Sequence, residues 1–575
     1  MGPLFMENFK QIAETALRAG SFELAKINYC KYLDLNPEDT EVLNNVGVLY
    51  LNNGEINLAL DYLYKSAIYS NRAEYKANFM QAIKKYESIK LKPEYLDLTA
   101  SLLRSNLVSP IDVAIQIYNS ITHHFSIGKI KYNNKSSENL IENLKNISSV
   151  KAFITLLRTT HIPSIEFEVQ INLIIETIAS LHIFDKEDIL IFKNLIESLA
   201  IQSNIKEYIH IVEDDAYLLK KDLYNNFRLE EKISKKYIIA NLILFYKYEI
   251  EMVEYIVNNS SDEDVVNYWK PKGEVIYEDN FKGIFNESSF NVKNQYETNP
   301  YPKWIHTYIP PDKEDFSICY IKNGLIPPRF DHAIEILVAG CGTGQHAIQT
   351  ASSFVNSTVT AIDLSTASLS YAKRKTNEFN IKNIKFINSD ILEFNSPNKK
   401  FDLIESVGVL HHMEKPVDGF ISLRKNLSDD GLMKIGLYSN KARKSIYEIQ
   451  KNLYLKKEIK DQNKLVKERK RIVDYINETG TCRDILMFSD FYNLSEFKDL
   501  FFNECEHSFN LNEIIELLKK CKLNFINLDI NVNTLKLSGF SGKKPRSNDL
   551  EAWSEIEEKY PLIFSNMYIF WCNKS

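Results

Sequence analysis

The chain has 575 residues, 44% of them hydrophobic and 25% charged, with a formal net charge of −6. That length holds about three or four domains and a sizeable buried core, and so small a charge argues against a dedicated nucleic-acid binder. The 7 cysteines are scattered with no C-x-x-C pair, which points away from a zinc site or a disulfide framework.

Met1 to Met6 carry no long apolar segment, so no secretory signal is expected. The strongest apolar run, Tyr237 to Tyr246, contains Asn241 and is too short to span a bilayer. A cytoplasmic protein without a metal ion, a membrane or a nucleic acid as partner is the expectation.

Residues 1–75 contain a repeat: Gly20-Ser21-Phe22 with Ala25 recurs as Gly54-Glu55-Ile56 with Ala59, 34 residues later. Leu43, Val46, Gly47, Val48 and Tyr50 fall where the first helix of such a unit packs. The stretch resembles tetratricopeptide repeats, in which glycine ends one helix and alanine admits the next. Such repeats recruit peptides or proteins, or serve as a scaffold or homodimer surface, and the sequence leaves both uses open. Residues 76–285 read as a helical middle domain, with apolar positions recurring at three and four residues (Phe153, Leu156, Leu157; Leu173, Ile174, Ile178). Asn133 to Ser137 reads as a mobile loop. His123-His124 reads as a helix-end feature, since no third ligand is near.

A linker and aromatic lid are expected over 286–330. Its core is Q-Y-E-T-N-P-Y-P-K-W, residues 295–304, where two prolines hold Asn299 and Tyr301 out of helical geometry. Tyr296, Tyr301 and Trp304 either cover a ligand or form a linker packed on the next domain.

An α/β core is assigned to 331–440. Ile336-Leu337-Val338 reads as a buried strand running into Gly340, Cys341, Gly342 and Gly344, with Gln345 opening a helix whose amide groups can hold an anionic group. A second strand, Thr358 to Ile362, ends at Asp363-Leu364-Ser365, where a carboxylate can take hydrogen bonds from a ribose diol. A third, Ile384 to Ile387, leads to Ser389-Asp390-Ile391, and a fourth, Phe401 to Ser406, carries Glu405 and leads to V-L-H-H-M with His411 and His412. A fifth, Leu432 to Tyr438, follows Asp430-Gly431.

Residues 441–521 read as a helical insertion and substrate lid, with 12 Lys and Arg against 4 Asp and Glu between 441 and 471. A basic helix of this kind is either a solvated face or a surface for an acidic partner. Tyr492, Glu506 and His507 lie in its polar, aromatic second half. Residues 522–575 supply the last two strands.

The order of these pieces resembles the class I S-adenosylmethionine-dependent methyltransferases: an α/β fold with a seven-stranded Rossmann-like sheet, preceded here by all-α repeat and helical regions. Q-Y-E-T-N-P-Y-P-K-W, V-A-G-C-G-T-G-Q, L-M-K-I-G-L-Y-S, D-F-Y-N-L-S-E-F-K-D-L and M-Y-I-F-W-C extend the likeness to the bacterial tetratricopeptide-repeat methyltransferases. It departs at Lys303, Phe497, Lys498 and Asn503, where Arg, Cys, Arg and His would be expected. The resemblance implies S-adenosylmethionine as cofactor and S-adenosylhomocysteine as product, held by Gly340, Cys341, Gly342, Gly344, Gln345, Asp363, Leu364, Asp390, Ile391 and Ser406. Candidate catalytic groups are Glu405, His411, His412, Glu506 and His507, needed only if the acceptor must lose a proton. Tyr296, Tyr301, Trp304 and Tyr492 are the candidate substrate or lid residues. The expected reaction is methylation of a protein or peptide side chain brought by the repeats. The alternatives are a small-molecule or glycan-precursor methyltransferase whose repeats serve assembly, and a cofactor-binding adaptor without turnover.

Overall fold

A computed structural model describes residues 3–86, 90–125, 137–183, 187–209, 216–270, 289–298, 300–397, 399–456, 459, 461–530, 535, 539–540, 542–565 and 567–575. The expected loop at 133–136, Asn299 and the side chain of His124 lie outside the described residues. The chain forms two compact units, Met1–Ile205 with Val212–Lys270 and Ile305–Asp312, and Lys206–Ile211 with Pro271–Trp304 and Lys313–Ser575.

The first unit is helical among its described residues. Helices Pro3–Arg18, Phe22–Leu33, Thr40–Asn52, Ile56–Tyr69 and Ala73–Lys84 follow one another through short turns. Gly20 and Gly54 end two of them at φ 73° and 80°, and the next amide in each case reaches back, Ser21 N–H to Ala16 O at 2.8 Å and Glu55 N–H to Tyr50 O at 2.9 Å. That backbone device is a left-handed helix stop, and its 34-residue recurrence is what the sequence pattern encodes. Asp39 caps the third helix, accepting from Glu41 N–H and Val42 N–H at 3.1 Å each.

The cores do not divide where the sequence suggested. Ala13 to Leu49 form one cluster, whereas Leu60 and Leu63 share a continuous core with Phe79, Tyr95, Leu156, Ile238 and Trp269. The boundary expected at residue 75 therefore cuts through packed side chains. The strongest apolar run forms part of helix Ile233–Tyr246, buried on nearly every side within this core. No described helix is long and apolar enough to cross a membrane.

The second unit is a seven-stranded sheet in the order β3-β2-β1-β4-β5-β7-β6. Its strands are β1 Ile334–Ala339, β2 Ser357–Asp363, β3 Ile384–Asn388, β4 Phe401–Val407, β5 Leu427–Leu437, β6 Leu523–Leu528 and β7 Tyr568–Lys574. β1 pairs in parallel with β2 and β4, while β7 runs antiparallel to β5 and β6. Alternate β1 residues feed opposite faces, Leu337 and Ala339 one cluster and Ile336 and Val338 the other. That explains why the strand reads as an unbroken apolar run. β5 begins five residues before the expected start, at Leu427.

Two expected boundaries shift. Residues 206–209, assigned by sequence to the helical middle domain, belong with the sheet: Lys206 O accepts from Leu494 N–H at 3.3 Å, and Glu207 accepts from Ser495 N–H at 2.8 Å and pairs with Lys303 at 3.1 Å. The insertion ends near Phe509, not 521. Helix Leu511–Lys520 buries Leu511, Ile514, Leu517 and Leu518 against the sheet and belongs to the fold itself.

Candidate functional site

A cavity of about 670 Å³ opens at the carboxyl ends of β1, β2, β3 and β4. It lies where the order of connections reverses between β1 and β4, the usual ligand position in an open α/β sheet, and its size is that of a small-molecule site. Gly340, Cys341, Gly342 and Gln345 line it after β1, and Asp363, Leu364 and Ser368 after β2. Asp390 and Ile391 line it after β3, and Gly408, Val409 and His412 after β4.

The glycine turn is held from outside the sheet. Gly342 has φ 51°, and a β-carbon there would collide with the Tyr301 carbonyl oxygen. Thr343 N–H donates to that same oxygen at 3.1 Å, and Trp304 Nε1–H donates to Thr343 Oγ1 at 3.1 Å. The aromatic segment thus divides between its two expected roles. Tyr296 and Tyr301 line the cavity, whereas buried Trp304 stacks on Phe379 at 5.8 Å beneath Lys375 and does not line it. Tyr296 sits in the last turn of helix Phe290–Thr298, so the rigid elbow begins after it.

Asp363 is anchored by two backbone amides, Gly342 N–H at 2.8 Å and Ser365 N–H at 2.9 Å. A carboxylate has about four acceptor positions, so two remain for a ligand. Burial pushes its pKa upward, against the pull of those amides. Beside it Ser368 is fully buried, and its Oγ has no hydrogen-bond partner among the described residues. Asp390 Oδ1 accepts from Leu392 N–H at 2.9 Å.

Several candidates lie elsewhere. Ser406 is buried and its hydroxyl donates to Ala339 O at 3.1 Å, tying β4 to β1. Gly344 caps helix Gln345–Ser353 and packs on Ala372. Glu405 does not line the cavity and accepts from Thr350 Oγ1 at 2.5 Å, with His346 Nε2 at 3.3 Å. Burial pushes the Glu405 carboxyl up, but His346 and Lys434 outweigh it and hold it at about 2. Tyr492 is fully buried with its hydroxyl on Leu486 O at 2.8 Å.

Glu506 receives both nitrogens of a buried Arg443 fork and the Tyr447 hydroxyl. His507 donates its main-chain N–H to His411 O at 2.8 Å, and neither Glu506 nor His507 lines the cavity. Arg443 and Arg469 correct the reading of the insertion as a solvated basic face at two positions. Arg469 is fully buried, donating to Phe491 O at 2.7 Å and lying over the Phe491 and Tyr492 rings.

Of the two adjacent histidines, only His412 lines the cavity. Its Nδ1 faces Cys505 O at 2.9 Å; a carbonyl only accepts, so Nδ1 carries the proton. In the neutral ring Nε2 then accepts from His411 Nε2 at 3.1 Å, which leaves both nitrogens of His412 engaged. His411 is fully buried against Tyr438, ring centroids 3.8 Å apart, and burial drives its pKa well down. Sequence reasoning passed over Gly408, Ser368, Lys434 and Tyr438, since residues of ordinary type at such positions give no motif.

Residues 331–499 match the family model described as "Methyltransferase domain". With the sheet order and the cavity, that defines the second unit as carrying a methyltransferase domain. An uncharacterized protein of Synechococcus sp. is 32% identical over 122 residues, 21% of this chain and 29% of that protein. A malonyl-[acyl-carrier protein] O-methyltransferase of Halalkalibacterium halodurans is 30% identical over 158 residues, 27% of this chain and 55% of that protein. The chain thus spans about half or less of the length of these relatives. A solved structure of PKMT2 from Rickettsia typhi in complex with AdoHcy is 18% identical, covers 45% of this chain and 52% of that one, and superposes with a TM-score of 0.33.

Proposed function

We propose that the protein is an S-adenosylmethionine-dependent methyltransferase acting on a side chain of a protein or peptide. The observation that carries the reading is the pair of hydrogen-bond positions left on Asp363, at the rim of a cavity floored by a glycine turn that tolerates no β-carbon. The cofactor fits this chemistry: Asp363 and Ser368 offer polar partners for a ribose, Leu364 and Ile391 apolar contact for a base, and Gly340 to Gly342 room for an amino-acid end.

When bound, S-adenosylmethionine supplies a methyl group that is already electrophilic. The chain's own residues therefore orient more than they activate. Asp363 fixes the donor through its hydroxyls, Gly342 lets the backbone come close, and Tyr296 and Tyr301 shield the reacting end from water. His412 and His411, joined through their Nε2 atoms, form a rigid wall next to the strand end. Glu405, Glu506 and His507 hold the elements that carry this wall.

The 34-residue recurrence of the helix stop at Gly20 and Gly54 supports tetratricopeptide-like recruitment of a chain. So do exposed apolar side chains on the second helix, Phe22, Leu24 and Ile27, each about half exposed. A cytosolic setting suits seven free cysteines.

The test is calorimetric titration of the full chain with S-adenosylmethionine, followed by labelled-methyl transfer into lysate. Donor binding with label in the macromolecular pool is expected. Serine at Phe22, Leu24 and Ile27 should lower transfer while leaving donor binding intact. Absence of donor binding overturns the reading.

A further inference from the structure

Three tyrosines face one end of the cavity, and what lies behind them decides which acceptor that end admits. Tyr296 O–H donates to Asp499 Oδ1 at 2.7 Å, an oxygen that also takes Asn503 Nδ2 at 2.7 Å and Gln295 Nε2 at 3.3 Å. With its proton committed to a carboxylate and Asn503 Nδ2 donating to it at 3.3 Å, the Tyr296 oxygen can only accept any further bond. Tyr301 stands beside it, ring centroids 6.4 Å apart. Tyr438 is only 7% exposed, and its ring is sandwiched between His411 and the Arg443 guanidinium, each at 3.8 Å. Only its edge and hydroxyl are left for the cavity it lines, and that hydroxyl has no partner among the described residues.

Behind these rings lie acidic side chains, the nearest of them Asp499, which takes the Tyr296 hydroxyl. Asp490, Glu496 and Asp499 come from one stretch of the insertion and act on one another: burial and then Asp499 raise Asp490, while burial, Asp490, Glu207 and Asp499 raise Glu496. Burial, followed by Asp490, Tyr438, Asp499 and Glu496, pushes the Tyr301 phenol well up. The nearby cations are already engaged, Arg443 by Glu506 and Lys303 by Glu207.

Resting on the methyltransferase reading, we propose that the acceptor is an amine nitrogen, delivered as an ammonium ion to the wall of Tyr296, Tyr301 and Tyr438. An ammonium has donors and no acceptor, which matches a wall of phenol oxygens with the Asp499 carboxylate behind Tyr296. A carboxylate or phosphate acceptor would meet like charge. A hydroxyl or thiol would have to become an anion in the same field with help from a base, and His412 has both nitrogens engaged. In the step itself, the ammonium first loses one proton to water. Its nitrogen pair then forms the new N–CH₃ bond as the donor's S–CH₃ bond breaks, and the bonding electrons stay on sulfur as a neutral thioether.

Full-length protein is incubated with methyl-labelled donor and lysate, and the macromolecular and low-mass pools are separated before product chemistry is determined. The expected label resists mild alkali, survives acid hydrolysis and is recovered on nitrogen, and acetylating the acceptor amines beforehand abolishes it. Recovery from protein as an N-methylated lysine identifies a peptide source, and recovery from the low-mass pool a small amine; either supports the proposal. Tyr438→Phe should raise acceptor KM about tenfold or more, the cost of one hydrogen bond to a charged group, with donor affinity unchanged. Label released by alkali as methanol, or recovered on oxygen or sulfur, overturns the proposal and leaves the methyltransferase reading standing. No label in either pool from a preparation that binds the donor overturns the proposal and the methyltransferase reading together, leaving a cofactor-binding protein without turnover. Failure to bind the donor overturns the underlying reading instead.

Discussion

The main-chain oxygen of Tyr301 occupies the space in which a β-carbon on Gly342 would stand. Gly342→Ala must therefore displace the aromatic segment or unwind the turn, at φ 51° a further strain for any residue with a side chain. Donor affinity should fall steeply, with a stability loss of about 1–3 kcal/mol. Titration calorimetry and thermal unfolding of the same preparation check both.

Asp363→Ala removes the acceptor of two backbone amides and, on the proposed reading, of the donor's hydroxyls. Donor binding should weaken by about 1–3 kcal/mol, the cost of unpaired buried polar groups. Burial raises the carboxyl's pKa, and only the ionised form accepts from both sides. Donor affinity in the wild type should therefore fall on acidification at a pH above that expected for an ordinary aspartate. A pH series of titrations reads this directly, and Asp363→Ala should flatten it.

Glu405 predicts a stability effect with no catalytic counterpart. Its folded pKa, about 2, lies below the ordinary glutamate value of 4.5. The stabilisation is thus present above pH 4.5 and is lost as pH falls from 4.5 towards 2. Glu405→Gln should lose on the order of 1–3 kcal/mol at neutral pH and show a shallower acid limb. Chemical denaturation between neutral and acid pH measures it, while turnover per folded molecule should stay near wild type.

Glu506 behaves as half of a buried ion pair. Arg443 is 3% exposed, so Glu506→Gln strands its guanidinium and should cost about 3–5 kcal/mol. The melting temperature should drop, with KM for the acceptor rising before kcat changes. A loss of kcat alone, with wild-type stability, would restore Glu506 as a proton-transfer group.

The glycine turn and the acid-tipped strand at one end of the cavity were legible because their devices are local. A glycine turn after an apolar strand, an acid at the end of the next strand and an N-cap serine at 365 each act within a few residues, and backbone geometry then brings Gly342 to Asp363. The sheet was legible for the same reason, since strands buried on both faces must read as apolar runs. The acceptor end was not legible. Tyr296 meets Asp499 across 203 residues and Arg443 meets Glu506 across 63. Nothing in their local spacing separates a phenol that faces a cavity from one that is packed away like Tyr492. Sequence alone determined that the chain would build this nucleotide-type cradle, because backbone conformation is written in short-range residue choice. Only the tertiary structure decided which polar side chains line the cavity and which are packed behind it. That distinction depends on burial and on charge partners that chain order does not record.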